Sequence, residues 1–153
     1  ANLCRAVWLG DMEYLEAYDL QLSLVEKVHS GQEPNTLLML EHPHVYTKGR
    51  LSKGSDVLLP EEYLAAKGVA VLETDRGGQV TYHGPGQLVV YPIVNLKDWG
   101  GPVKYVRALE QVVIATLAEM GIDKKTSSLA QRLASLSDVE RNAVARRQHD
   151  RLN

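Results

Sequence analysis

The order of apolar and polar positions predicts a chain in which strands and helices alternate. Residues 3–9 are apolar enough for an opening strand, with Cys4, Ala6 and Trp8 on one face and Leu3, Arg5, Val7 and Leu9 on the other. Cys4 is expected to be a small core residue. Gly10-Asp11 then offers a helix N-cap, and Leu15, Tyr18, Leu22 and Val25 recur at helical spacing until Gly31 supplies a stop. TLLML, residues 36–40, is a continuous apolar run short enough for a strand buried on both faces. Turn formers fill 51–59, Pro60 opens a short helix over 61–67 ending near Gly68, and 69–72 reads as a strand. The clearest helix begins at Pro102, carries Val106, Leu109, Val113, Leu117 and Met120 on one stripe, and ends at Gly121.

Between these elements lies the stretch that organises the chain, RGGQVTYHGPGQLVVYPI over residues 76–93. Alternation puts Gln79, Thr81 and His83 on one strand face and Val80 and Tyr82 on the other. Gly84-Pro85-Gly86 is a turn, and residues 87–91 read as a second, more apolar strand, so the simplest geometry is a hairpin. Pro92 has no N–H to donate to a ladder and marks that strand's end or a sheet edge. The Gly77-Gly78 pair allows close backbone approach, with Arg76 beside it as a positive charge. A polar trio next to bare backbone and an arginine is more than a hairpin needs, and marks the stretch as a candidate binding site.

Composition narrows the classes. At 153 residues, 44% hydrophobic and 24% charged, the chain fits one globular domain with a real core. A formal net charge of -2 points to no nucleic-acid or membrane partner. No apolar run approaches the roughly 20 residues that span a bilayer, and the first residues lack the order of a signal peptide, so a cytoplasmic protein is expected. The single cysteine, Cys4, rules out an intrachain disulfide and a cysteine metal cage. His42 and His44 flank Pro43 without a third ligand nearby, so a strand exit is expected there and no metal site.

The run RGGQVTYHGPGQLVVYPI, with LLMLEHPHVYTKGR upstream, resembles the signature of the lipoyl(octanoyl) transferase family, which shares a fold with lipoate and biotin protein ligases. The resemblance covers residues 1 to about 123. It implies a mixed α/β (α+β) fold, a mixed sheet with packed helices, and transfer of an octanoyl group from acyl carrier protein to a lysine on lipoyl domains of oxo-acid dehydrogenases or on glycine cleavage protein. That scheme requires no ATP, metal or other cofactor. It also implies that Arg76, Gly77, Gly78, Gln79, Val80, Thr81, Tyr82 and His83 wall the substrate site, the glycines admitting backbone amides to the acyl carbonyl while Thr81 and His83 orient polar groups. His83 as a turn-stabilising histidine is the alternative. Arg50 is a candidate for a supporting or carrier-facing role beside its simpler reading as an exposed loop arginine.

The family's chemistry rests on a lysine in a GxK[VI]A-like strand and a cysteine in a PCG-like motif, both downstream of the helix that ends at Gly121. Neither motif is present: Lys124 and Lys125 precede TSSLAQRL, and no cysteine follows Cys4. No catalytic residue is therefore identifiable, because thioester chemistry needs a thiolate and a neighbouring cation or base. Residues 124–153 are expected to be a divergent tail, helical or disordered, with Leu129, Leu133, Leu136 and Val139 near helical spacing. An evolved tail and a truncated or frameshifted gene both fit, as does a non-catalytic module that binds the acyl group or its carrier. An ATP-dependent lipoate ligase fits less well, since HGPGQ replaces the HDxGN-like sequence of those enzymes.

Overall fold

A computed structural model describes residues 4–121 of the chain; the expectations for the 124–153 tail lie outside the described residues. The chain divides into two compact units, residues 1–98 and 99–153. Within the first, β1 (Cys4–Asp11) is followed by α1 (Tyr14–His29), β2 (Asn35–Glu41), β3 (Val45–Lys48), α2 (Glu61–Ala66), β4 (Ala70–Glu73), β5 (Val80–His83) and β6 (Val89–Ile93). The strands form two three-stranded mixed sheets, β1-β2-β6 and β4-β3-β5. In each, the middle strand has a parallel neighbour on one side and an antiparallel one on the other. The class is mixed α+β, as the sequence predicts.

The core lies between α1 and one face of the first sheet. Leu24 and Val28 pack on Leu38 and Ile93, and Ala17 packs on Leu40 and Val89, with Val7, Leu9 and Tyr91 at the margin. This corrects the helix face: Tyr14, Ala17, Leu24 and Val28 are buried, whereas Leu15, Leu22 and Val25 are exposed. The buried stripe lies one residue earlier, about 100° round the helix. Small Ala17 meets the sheet, which lets the helix approach closely. The N-cap expectation is also corrected, because β1 runs on through Asp11 and Glu13 occupies the cap without a side-chain bond.

Cys4 is exposed and not a core residue. It opens an edge strand on the same side as Ala6 and Trp8, and the α1-facing side of that strand carries Val7 and Leu9. β2 is a strand as expected, but only Thr36, Leu38 and Leu40 are buried, alternating with half-buried neighbours. Gly31 and Gly68 follow their helices with φ of 76° and 72°, the left-handed conformation that glycine stops supply.

The hairpin does not form. β5 pairs with β3 and β6 pairs with β2, in different sheets. With Val45 opposite His83 and Leu40 opposite Val89, the path β5–β6 runs antiparallel alongside β2–β3. Residues 84–88 therefore face residues 41–44, where both chains cross from one sheet to the other. Gly84–Gln87 is still a turn, closed by the Gln87 N–H to Gly84 carbonyl bond at 3.1 Å with Gly86 at φ 78°, but it kinks a continuing path. Pro92 sits on the outer strand of its sheet, where its missing N–H costs no ladder bond.

In the second unit, α3 (Pro102–Glu119) starts with Pro102 in its first turn and ends before Gly121 at φ 72°. Trp99 meets Tyr105 edge to face at 5.5 Å. The helix bounds agree with the sequence, but its stripe is not buried: Val106, Val113 and Met120 are exposed, and no α3 residue is buried.

Candidate functional site

The crossing point between the sheets gathers the polar residues. β3 buries Val45 and Thr47, and the antiparallel register sets His83 opposite Val45 and Thr81 opposite Thr47. Directly opposed residues share a face, so Thr81 and His83 lie on the side of β3 that carries the Thr47 hydroxyl. Tyr82 is opposite Tyr46 and Val80 opposite Lys48, on the other face. Of the predicted wall, the structure thus brings Arg76, Thr81 and His83 together and turns Val80 and Tyr82 away.

Arg76 is held firmly. Its Nε and Nη2 donate to Thr47 Oγ1 at 3.2 and 2.9 Å, Nη2 donates to the Thr47 carbonyl at 2.6 Å, and Nη1 donates to the Gly77 carbonyl at 2.9 Å. Thr47 is fully buried, so the guanidinium satisfies polar atoms that have no water to turn to. The loop after β3 closes the clamp: Gly49 N–H donates to Gln79, Arg50 N–H to Arg76 and Leu51 N–H to Gly78, each to a backbone carbonyl at 3.0–3.1 Å. A side chain at Gly49 would collide with the Gly78 carbonyl and lie 2.9 Å from that of Gly77. The close approach expected at the Gly77-Gly78 pair is therefore made by Gly49. Gly78 needs to be glycine for its φ of 83°, while Gly77 is open on its Cα side. Gln79 supplies the carbonyl that receives Gly49. Arg50 is exposed and, with Lys48, Lys53 and Glu73, lines a polar cavity of about 310 Å³.

Beside His83 stands a cluster that the sequence did not bring together: Tyr14 from α1, His42 from the β2–β3 crossing and Tyr91 from β6. Ring centroids are 6.4 Å apart for Tyr14–His83, 5.7 Å for His42–His83 and 5.9 Å for His42–Tyr91. His42 is almost fully buried, and its Nδ1 donates to the Met12 carbonyl at 2.7 Å, leaving Nε2 to accept from the Tyr91 hydroxyl at 2.9 Å. Burial pushes the Tyr91 phenol up to about 12, so it stays a donor at neutral pH. The Tyr14 phenol is raised by burial, with Arg76 opposing and Asp75 assisting. On the far face His44 Nδ1 meets the Tyr82 hydroxyl at 2.5 Å, and Tyr82 stands against Tyr46. His42 and His44 thus serve different faces and different tyrosines. Two polar aromatics at the ends of apolar strands, His42 after TLLML and Tyr91 before Pro92, are the signal in the sequence that could have found this cluster.

His83 donates from Nδ1 to Gln87 Oε1 at 2.8 Å, across the turn. Its pKa is lowered, first by burial and then by His42 and Arg76, against the opposing bond to Gln87. A neutral imidazole, a fixed guanidinium and the phenols of Tyr14 and Tyr91 make a polar, hydrogen-bonding wall. It holds no thiol: Cys4 lies at the far end of β1, on the side of that strand away from α1.

The chain is 48% identical over 139 residues to an octanoyltransferase of Acidobacterium capsulatum, covering 86% of this chain and 54% of that protein. It is 45% identical over 141 residues to the octanoyltransferase of Chloroflexus aurantiacus, covering 91% of this chain and 60% of that protein. The chain therefore spans a little over half the length of these relatives. A solved bi-partite lipoate protein ligase of Thermoplasma acidophilum superposes at a TM-score of 0.36 with 18% identity, covering 55% of this chain and 32% of that one. The family model described as the lipoyl protein ligase A/B catalytic domain matches residues 13–145, and the chain belongs to that family.

Proposed function

We propose that this chain is the larger part of an octanoyltransferase-type domain, with residues 1–123 as its incomplete body. It binds an octanoyl group delivered by acyl carrier protein, for transfer to a lysine of the lipoyl domains of oxo-acid dehydrogenases or of glycine cleavage protein, in the cytoplasm. The observation that carries this reading is the 48% identity to an octanoyltransferase over 139 residues. Arg76 to Gln79 with Thr81 and His83 form the acyl-binding wall, without Val80 and Tyr82 on the other face: Gly77 leaves backbone open to the acyl carbonyl, Arg76 and Gly49 keep that backbone rigid, and Thr81 and His83 supply polar atoms on the same side.

The 153 residues contain no thiol beyond Cys4, so the chain binds without turning over. A non-catalytic module that holds the acyl group or its carrier is the second reading, favoured by that missing thiol. The experiment incubates the chain with octanoyl acyl carrier protein, records intact mass, and follows saturable binding of octanoate by calorimetry. Binding without a covalent adduct is expected. An octanoyl adduct on Cys4 that passes to a lipoyl domain would overturn the inactivity. Absence of saturable binding would overturn the acyl-binding reading itself.

A further inference from the structure

The contact between His83 and Gln87 decides which way the imidazole works. An amide oxygen only accepts, so with Gln87 Oε1 2.8 Å from Nδ1 the ring proton sits on Nδ1. Burial keeps the ring neutral at physiological pH, so it carries one proton, and Nε2 is left with a bare lone pair. The other neighbours make no such choice. Tyr14 from α1 stacks on the ring, His42 meets it at a tilt, and Arg76 acts only through its charge. The nitrogens of His42 are both engaged, by Met12 and Tyr91.

Gln87 is itself held by the turn. Its N–H closes the turn on Gly84, and the preceding Gly86 N–H donates to the Glu41 carboxylate at 2.6 Å, tying the turn to the end of β2. We propose that Gln87 is a positioning residue that fixes His83 in the Nδ1–H form, so that Nε2 serves the site as a hydrogen-bond acceptor. An acceptor there takes a group that donates, the neutral amine of an incoming lysine side chain, and gives nothing to a carbonyl oxygen. The acyl carbonyl is then left to backbone N–H groups. The choice of amine rests on the acyl-transfer reading; the proton position does not.

The test is long-range proton–nitrogen NMR of the histidine rings in the full chain, above the pH at which His83 titrates. The His83 signals are assigned by their loss in His83→Gln. The proton is expected on Nδ1 in the unsubstituted chain and in Gln87→Glu, which keeps an acceptor oxygen, and is expected to move toward Nε2, the form favoured in free histidine, in Gln87→Ala. An Nε2–H ring in the unsubstituted chain, meaning the Gln87 amide is turned round, overturns the proposal. So does an Nδ1–H ring that persists in Gln87→Ala. Gln87 is exposed, so its replacement leaves the core intact, and the unsubstituted spectrum decides by itself even if a variant fails. Because no acyl ligand is present, a failure here is distinct from a failure of octanoyl binding.

Discussion

Three glycines within the same few ångströms face different physical demands, which makes them a graded probe of the site. At Gly77 a methyl group would enter open space, so Gly77→Ala should change stability by no more than about 0.5 kcal/mol. At Gly78 the space is tolerable but φ is 83°, and any Cβ there costs about 1 kcal/mol or somewhat more; Gly78→Val adds branching to that strain. At Gly49 the obstacle is the backbone carbonyl of Gly78, which cannot rotate away without breaking the bond from Leu51, so Gly49→Ala should cost about 1–3 kcal/mol. Urea unfolding of the three variants reads the order directly. Octanoate binding should fall in the same order, since the clamp around Arg76 is what the larger side chains disturb. A Gly78→Val protein with unchanged stability and binding would show that the glycine pair is incidental. The sequence pointed to this pair but not to Gly49, because close approach is a property of two segments and only one of them carries the visible motif.

At the level of elements, β6 is locked to the end of β2 through Tyr91 and His42. Tyr91→Phe leaves the buried His42 Nε2 without its donor, a loss of about 1–3 kcal/mol near neutral pH. The fold raises the Tyr91 pKa from 10.0 to about 12. Below pH 10 both states hold the proton and the contribution is complete. Between 10 and about 12 the unfolded chain ionises first, so stability is lost as pH rises. The gap between the unsubstituted chain and Tyr91→Phe should therefore narrow over that window, as followed by denaturant midpoints at stepped pH. A gap that is absent, or constant with pH, would contradict the bond. Strand and helix positions were legible here because each is written in a local period, and the glycine stops held at Gly31, Gly68 and Gly121. The strand partners were not. A glycine-proline-glycine turn between two strands suits a hairpin, and only the distant β2 and β3, already side by side in sequence, offer β5 and β6 a better ladder. The α1 face was misread because that helix is apolar on two adjacent stripes, and the choice between them belongs to the sheet.

For the whole molecule, the decisive feature is the apolar surface that the far face of the first sheet leaves exposed among the described residues. On the side away from α1, register aligns Ala6 with Leu37 and Pro92, and Trp8 with Met39 and Val90. Trp8 is 57% exposed, Val90 43% and the adjoining Leu88 62%. In the second unit α3 likewise exposes Val103, Val106, Val112, Val113 and Met120. Each 100 Å² of apolar surface left in water forgoes about 2.5 kcal/mol, and a domain's whole margin is only about 5–15 kcal/mol, so surfaces of this kind are costly for a free monomer. The outer strands β1 and β6 also present unpaired backbone groups at the edges of the first sheet among the described residues. The 153-residue chain on its own is therefore expected to self-associate, with scattering mass rising with concentration and strong binding of an apolar dye. Lys or Glu in place of Trp8 and Val90 should reduce both, because a charge on that face must be desolvated before a second copy can dock. A monodisperse monomer by light scattering, unfolding in one cooperative thermal step and binding no dye, would show instead that these surfaces are satisfied within the chain itself.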